Sequence, residues 1–147
     1  MKIGFGSDHG GYELKMKIMK ALAKEDKYEL FDFGSFEGEK ADYPIYAKKT
    51  ADAVVNGDVD LGLLYCGTGI GISIAANKVK GIRCAHVSDP YSSRMAKEHN
   101  NANMLALGGR VLGEELALEI VHAFLNAEFQ GGRHQNRLDL ITKMEEN

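Results

Sequence analysis

Six consecutive residues, Cys66-Gly67-Thr68-Gly69-Ile70-Gly71, carry the sharpest chemical signal in this sequence. Glycines at alternate positions let several backbone N–H groups converge on one point, and a helix opening right after them adds the positive end of its dipole. Such a loop is an anion cradle or a plain tight turn. Its spacing fits neither the third glycine of a dinucleotide fingerprint nor the Lys-Ser/Thr ending of a P-loop. Cys66 stands directly before it. A cysteine on its own reads as an inert packed thiol, but one beside convergent amides is also a candidate base, because those amides favour the thiolate. Base and cradle together suit a reaction in which a proton leaves carbon while charge builds on oxygen, as in the enediolate of an aldose-to-ketose conversion. A donor aimed at that oxygen contributes about 2.7 to 4 kcal/mol, and a positioned base roughly 100- to 10,000-fold in rate. No redox cofactor is needed.

Other reactive side chains gather in short clusters. Ser7-Asp8-His9-Gly10-Gly11 offers an imidazole beside a carboxylate, read either as an oriented site histidine or as turn chemistry. His99, followed by Asn100 and Asn101, reads as a general acid or as a helix-terminal histidine meeting the dipole. Arg133 and Arg137 lie at i and i+4, so their guanidinium groups emerge on one face with His134 close by. Such forks suit a phosphate dianion, and the alternative is a solvated surface pair. Gly108-Gly109-Arg110 and Ser88-Asp89-Pro90-Tyr91 follow two further apolar runs. His86, His122 and Cys84 read as structural.

These clusters need elements to position them, and the sequence supplies an alternation of short β-rich runs with helical patterns. Strands are expected over residues 2–6, 28–33, 60–65, 81–87 and 104–108. The second alternates in sidedness and belongs nearer an edge, whereas the third and fifth are evenly apolar, as for strands covered on both faces. Leu14, Ile18, Ala21 and Leu22 follow the spacing of a helix with one buried face, and lysines 15, 17, 20 and 24 read as its solvated face. Further helices are expected over 46–55, 72–78, 91–99 and 114–125, with Pro44 and Pro90 at or just before two of the starts. After Gly131-Gly132, residues 133–146 read as a final charged helix with Leu138, Ile141 and Met144 in one stripe. No later strand follows for it to cover, so a partner subunit is the expected surface. The fold class is therefore α/β: a single three-layer, Rossmann-like domain over 1–147, with a five-stranded parallel sheet and helices on both faces. In such a sheet ligands bind beyond the carboxyl ends of the strands, which is where the clusters fall.

Composition narrows the function classes. A chain of 147 residues with 44% apolar content can bury one ordinary core. A net charge of -3 and the absence of a Lys/Arg run leave no footprint for nucleic acid. Two cysteines without a C-x-x-C spacing suggest neither disulfide scaffold nor zinc cage. No leader and no apolar run near the roughly 18 to 20 residues of a membrane span is visible. The expectation is a soluble, cytoplasmic protein with no metal, no cofactor, and neither membrane nor nucleic-acid partners.

The strings G-S-D-H-G-G (6–11), D-Y-P (42–44), C-G-T-G-I-G-I-S-I-A-A-N-K (66–78), H-N-x-x-N (99–103), G-x-R (108–110) and G-G-R-H-x-x-R (131–137) together resemble ribose-5-phosphate isomerase type B and its relatives. The resemblance spans nearly the whole chain in order. It implies that Cys66 accepts the proton from the sugar's carbon 2, and that Thr68 with the amides of residues 67–71, among them Gly67, Gly69, Ile70 and Gly71, holds the enediolate. It implies that His99 opens the furanose ring with help from Asp8, that His9, Arg110, Arg133 and Arg137 bind phosphate with His134 beside them, and that Tyr43 and Asn100 line the sugar. It further implies a homodimer, or a tetramer, in which two subunits complete each site. Six-carbon sugar 6-phosphates of the allose or galactose type remain an alternative substrate, and a non-catalytic sugar-phosphate sensor an alternative role.

Overall fold

The computed structural model describes residues 1–146. Five strands and six helices alternate: β1 Lys2–Ser7, α1 Tyr12–Leu22, β2 Glu29–Asp32, α2 Tyr43–Val55, β3 Leu61–Cys66, α3 Ile70–Ala76, β4 Cys84–His86, α4 Pro90–Glu98, β5 Met104–Gly108, α5 Glu114–Leu125 and α6 Arg133–Met144. All strand pairs are parallel, in the order β2-β1-β3-β5-β4. The evenly apolar β3 and β5 are buried throughout and sit inside the sheet, while the alternating β2 forms one edge, as its sequence leads one to expect. From β1 the chain steps outward to β2, and from β3 onward it builds in the other direction. The carboxyl ends of β1 and β3 therefore flank a topological switch point, where connections diverge and leave a crevice.

Two apolar cores hold the layers together. Leu14, Ile18, Ile120, Val121 and Phe124, from α1 and α5, pack with Phe5, Leu63 and Leu105 on one face. On the other, Ala47 and Ala51 of α2 and Ile72 and Ala76 of α3 meet Leu64, Met104 and Cys66. Alanines on this second face let helices approach the sheet closely. That brings the amino terminus of α3 down onto the end of β3.

Several elements differ from the sequence reading. The fourth strand is three residues rather than seven, because side-chain amides take over the pairing at its entry. Asn103 Oδ1 accepts the Arg83 N–H at 2.8 Å and Asn77 Oδ1 accepts that of Cys84 at 2.8 Å. Helix α2 starts at Tyr43, with Pro44 in its first turn where no N–H is required. Lys15 does not belong to a solvated face: it is fully buried, its ammonium paired with Asp32 at 2.6 Å and with the Ser35 carbonyl at 2.7 Å. An amphipathic stem can pass beneath apolar neighbours when its head finds such partners. The last helix finds part of its cover in its own chain, since Leu138 is buried and Glu145 accepts the Gly81 N–H, while Ile141 and Met144 stay exposed. No helix among the described residues is long and apolar enough to cross a membrane.

Candidate active site

Strand β3 delivers Cys66 to the switch point, and Gly69 turns the chain into α3 with φ +82. That left-handed conformation is open to glycine at little cost, and space demands it as well. A Cβ on Gly69 would lie 2.9 Å from the Leu107 carbonyl carbon and 2.8 Å from the His86 ring. The turn aims the Gly69 N–H at Cys66 Sγ, at 3.1 Å. Thr68 Oγ1 accepts the Ile70 N–H at 3.2 Å. Cys66 is 5% exposed, so the sulfur sits at the floor of the loop rather than on the surface.

The β1–α1 connection closes over the same point. Asp8 Oδ1 accepts the Gly11 N–H at 3.1 Å, which tightens the turn just before α1. A Cβ on Gly11 would stand 2.2 Å from the Tyr65 carbonyl and 2.6 Å from the Cys66 nitrogen. Only glycine fits, and Asp8 and His9 are thereby carried to the edge of the Cys66 loop. His9 Nδ1 accepts the Ala41 N–H at 3.5 Å, which leaves Nε2 free for a ligand. Arg110 donates its backbone N–H to the Gly67 carbonyl at 2.9 Å. Its guanidinium overlies Gly67, within 3.1 Å of where a Cβ would be. Tyr43, at the head of α2, places its ring 2.8 Å from the Cβ position of Gly71. Asp8, His9, Tyr43, Cys66, residues 67–71 and Arg110 thus form one cluster.

The remaining candidates lie elsewhere. Crossover helices run antiparallel to the strands they join, so His99, which caps the end of α4, falls at the amino-terminal edge of the sheet. Arg83, at the entry to β4, confirms the level: its Nε donates to the Asn100 carbonyl at 3.1 Å. His99 stacks on His134 of α6, ring centroids 4.3 Å apart. His134 is buried, and Arg133 and Arg137 beside it are exposed. Burial, then the neighbouring His99, Arg133 and Arg137, hold the His134 pKa below its ordinary value. Among the described residues, no hydrogen bond, ion pair or ring stack joins this cluster to the Cys66 cluster.

Two residues read as structural behave differently from each other. Cys84 is pushed up to about 12 by burial, which leaves it a neutral thiol. His86, by contrast, is exposed at the last position of β4, against Gly69 of the loop. In a strand drawn over 81–87 it reads as an interior residue; the strand ends at His86 itself, which places the ring at the sheet's carboxyl edge. Among the described residues, no group of three or more His, Cys, Asp or Glu side chains is placed to hold a metal ion.

An open α/β sheet whose switch point holds a cysteine bonded by a loop amide places the candidate chemistry at the strand ends. The pattern of the Ribose/Galactose Isomerase family matches residues 3–141. Ribose-5-phosphate isomerase B of Escherichia coli (strain K12) is 51% identical over 145 residues, 99% of this chain and 97% of that one. The solved Clostridium thermocellum ribose-5-phosphate isomerase B aligns with a TM-score of 0.97 at 55% identity, covering 99% of this chain and 98% of that one. The Mycoplasma genitalium enzyme, solved with bound ribulose-5-phosphate, aligns at 0.92 and 41%, covering 99% and 97%. The chain belongs to the ribose/galactose isomerase family and is, by class, an aldose–ketose isomerase.

Proposed function

We propose that this enzyme interconverts ribose 5-phosphate and ribulose 5-phosphate through an enediolate, with Cys66 as the base. The observation that carries the reading is the Gly69 N–H directed at Cys66 Sγ at 3.1 Å in the switch-point crevice. A thiolate held there accepts the proton from carbon 2 of the open aldehyde. The electrons of the broken C–H bond move into the C1–C2 bond and charge collects on the carbonyl oxygen. Thr68 and the amides of Gly67 and Gly71 stabilise that oxygen, joined by those of Gly69 and Ile70 as they turn from Cys66 Sγ and Thr68 Oγ1 to the developing charge. Return of the proton to carbon 1, with the oxygen-bound proton moving from O2 to O1, gives the ketose.

The separation of the two clusters supports a second element of the proposal. His99, Asn100, Arg133, His134 and Arg137 serve the pocket of a second copy of the chain, where His99 opens the furanose with Asp8 and the arginines join His9 and Arg110 on the phosphate. Tyr43 and Asn100 flank the sugar. In this reading each chain is one domain, and the working unit is a homodimer of such chains. The reaction belongs to pentose phosphate metabolism in the cytoplasm.

The test is a coupled assay of ketose formation from ribose 5-phosphate with the parent and with Cys66→Ala. Turnover is expected to fall by at least about a hundredfold in the variant, with little change in phosphate binding. Equal activity would remove the cysteine from the mechanism. A parent inactive on ribose 5-phosphate but active on allose or galactose 6-phosphate would move the substrate assignment to six carbons.

A further inference from the structure

Lys15 is fully buried on α1, and of the two oxygens it meets one belongs to Asp32, the last residue of β2, and the other to Ser35 in the turn that follows. The rings of Tyr12 and Phe36 lie near the ammonium, 5.3 and 5.6 Å from nitrogen to centroid. Withdrawing a whole charge from water is unfavourable unless its partners are well placed. An apolar residue beside Leu14 would satisfy the core without that penalty. The position of the ammonium shows what it adds.

Asp32 Oδ1 accepts from Lys15 and also from the Gly34 N–H at 2.9 Å, so the ion pair gathers the turn at residues 32–35. That turn is clipped on both sides to the end of β1: the Ser7 N–H donates to the Gly34 carbonyl at 2.8 Å, and the Ser35 N–H to the Ser7 carbonyl at 2.9 Å. Ser7 leads directly into Asp8 and His9. Asp8 is bonded to Gly11, whose carbonyl accepts the Lys15 N–H at 3.0 Å, and the circuit closes on the residue where it began. Beyond the turn the same segment runs to Ala41, which donates to His9 Nδ1. The β1–α1 loop is therefore fixed from α1 and from the 32–41 segment, and Lys15 is the side chain that joins the two.

We propose that Lys15 is a positioning residue for the phosphate end of the pocket, setting the place and ring orientation of His9 without touching substrate. The inference rests on the reading above that His9 meets the phosphate. Lys15→Met alone leaves the Asp32 carboxylate without its cation and is expected to lower stability. The deciding variant is Lys15→Met with Asp32→Asn, which removes both charges and keeps an oxygen for Gly34. It is compared with Lys15→Arg and His9→Ala by kcat and KM for ribose 5-phosphate and by thermal denaturation. The double variant is expected to melt near the parent, to raise KM by about tenfold, the worth of one misplaced charge-assisted hydrogen bond, and to change kcat by less than about threefold. Lys15→Arg, which can reach both oxygens, is expected to restore KM. A parental KM in the double variant while His9→Ala raises KM would overturn the inference and leave the phosphate reading standing. An unchanged KM in His9→Ala would overturn both. An apparent kcat lowered only in proportion to unfolded protein, with KM parental, would make Lys15 structural and overturn the proposal.

Discussion

The imidazoles of His99 and His134 lie nearly parallel, with centroids 4.3 Å apart and planes 14° from coplanar orientation, at the sheet edge opposite Cys66. A ring stack between α4 and α6 fixes the plane of His99 more tightly than a helix terminus can. It also keeps His134 under cover, while the charges of His99, Arg133 and Arg137 oppose its protonation. The more accessible member of the pair is His99, which is half-buried where His134 is buried.

The lowered pKa of His134 makes a prediction about stability. Its ordinary value is 6.5, and the unfolded chain takes up the proton there while the folded chain resists it. Below that point the unfolded state binds more protons, so stability falls as pH drops from about 6.5 toward the lower folded value and is intact above it. Replacing His134 by Phe keeps the stack and removes the titration. Urea denaturation midpoints at about pH 7.5 and about pH 5.5 are expected to differ less in His134→Phe than in the parent. An identical difference in the two proteins would show that His134 titrates no differently when folded.

His99 is predicted to matter in one direction of the reaction. Ribose 5-phosphate rests mainly as a furanose, whereas ribulose 5-phosphate carries its phosphate on the oxygen that a five-membered ring would need and stays open. A variant unable to open the ring, His99→Asn, should lose about a hundredfold of initial rate from ribose 5-phosphate and less than about threefold from ribulose 5-phosphate. The open aldehyde formed in the reverse reaction cyclises in solution without help. Equal losses in both directions would place His99 at the enediolate step instead of ring opening.

Much of this site was legible because its determinants are local. The glycines of residues 67–71 announce a turn in any context, and the evenly apolar β3 and β5 leave few places other than the middle of a sheet. Lys15 was misread because its partner stands 17 residues away in sequence, and nothing in a helical pattern distinguishes a solvated lysine from one whose head has a buried carboxylate waiting. His86 was missed for a narrower reason: β4 ends at His86 rather than at Val87, and that one residue turns an interior position into the carboxyl edge. The position of His99 was derivable. A crossover helix that starts at the carboxyl edge must end at the other, and that alone separates His99 from Cys66.

This separation yields the prediction that bears most directly on assembly. If each pocket combines Cys66 of one chain with Arg137 of another, chains carrying Cys66→Ala and chains carrying Arg137→Ala complement each other. Each variant alone has defective pockets only. In a mixed dimer one pocket collects both defects, and the other combines an intact Cys66 with an intact Arg137. After unfolding and refolding an equimolar mixture, half of the dimers are mixed, so about a quarter of all pockets regain both residues. Assayed at ribose 5-phosphate well below saturation, where Arg137→Ala alone is weak, the mixture should recover about a quarter of parental activity. Activity equal to the average of the two separate variants would mean that Cys66 and Arg137 serve the same chain, which requires α6 to leave the position it holds beside β4.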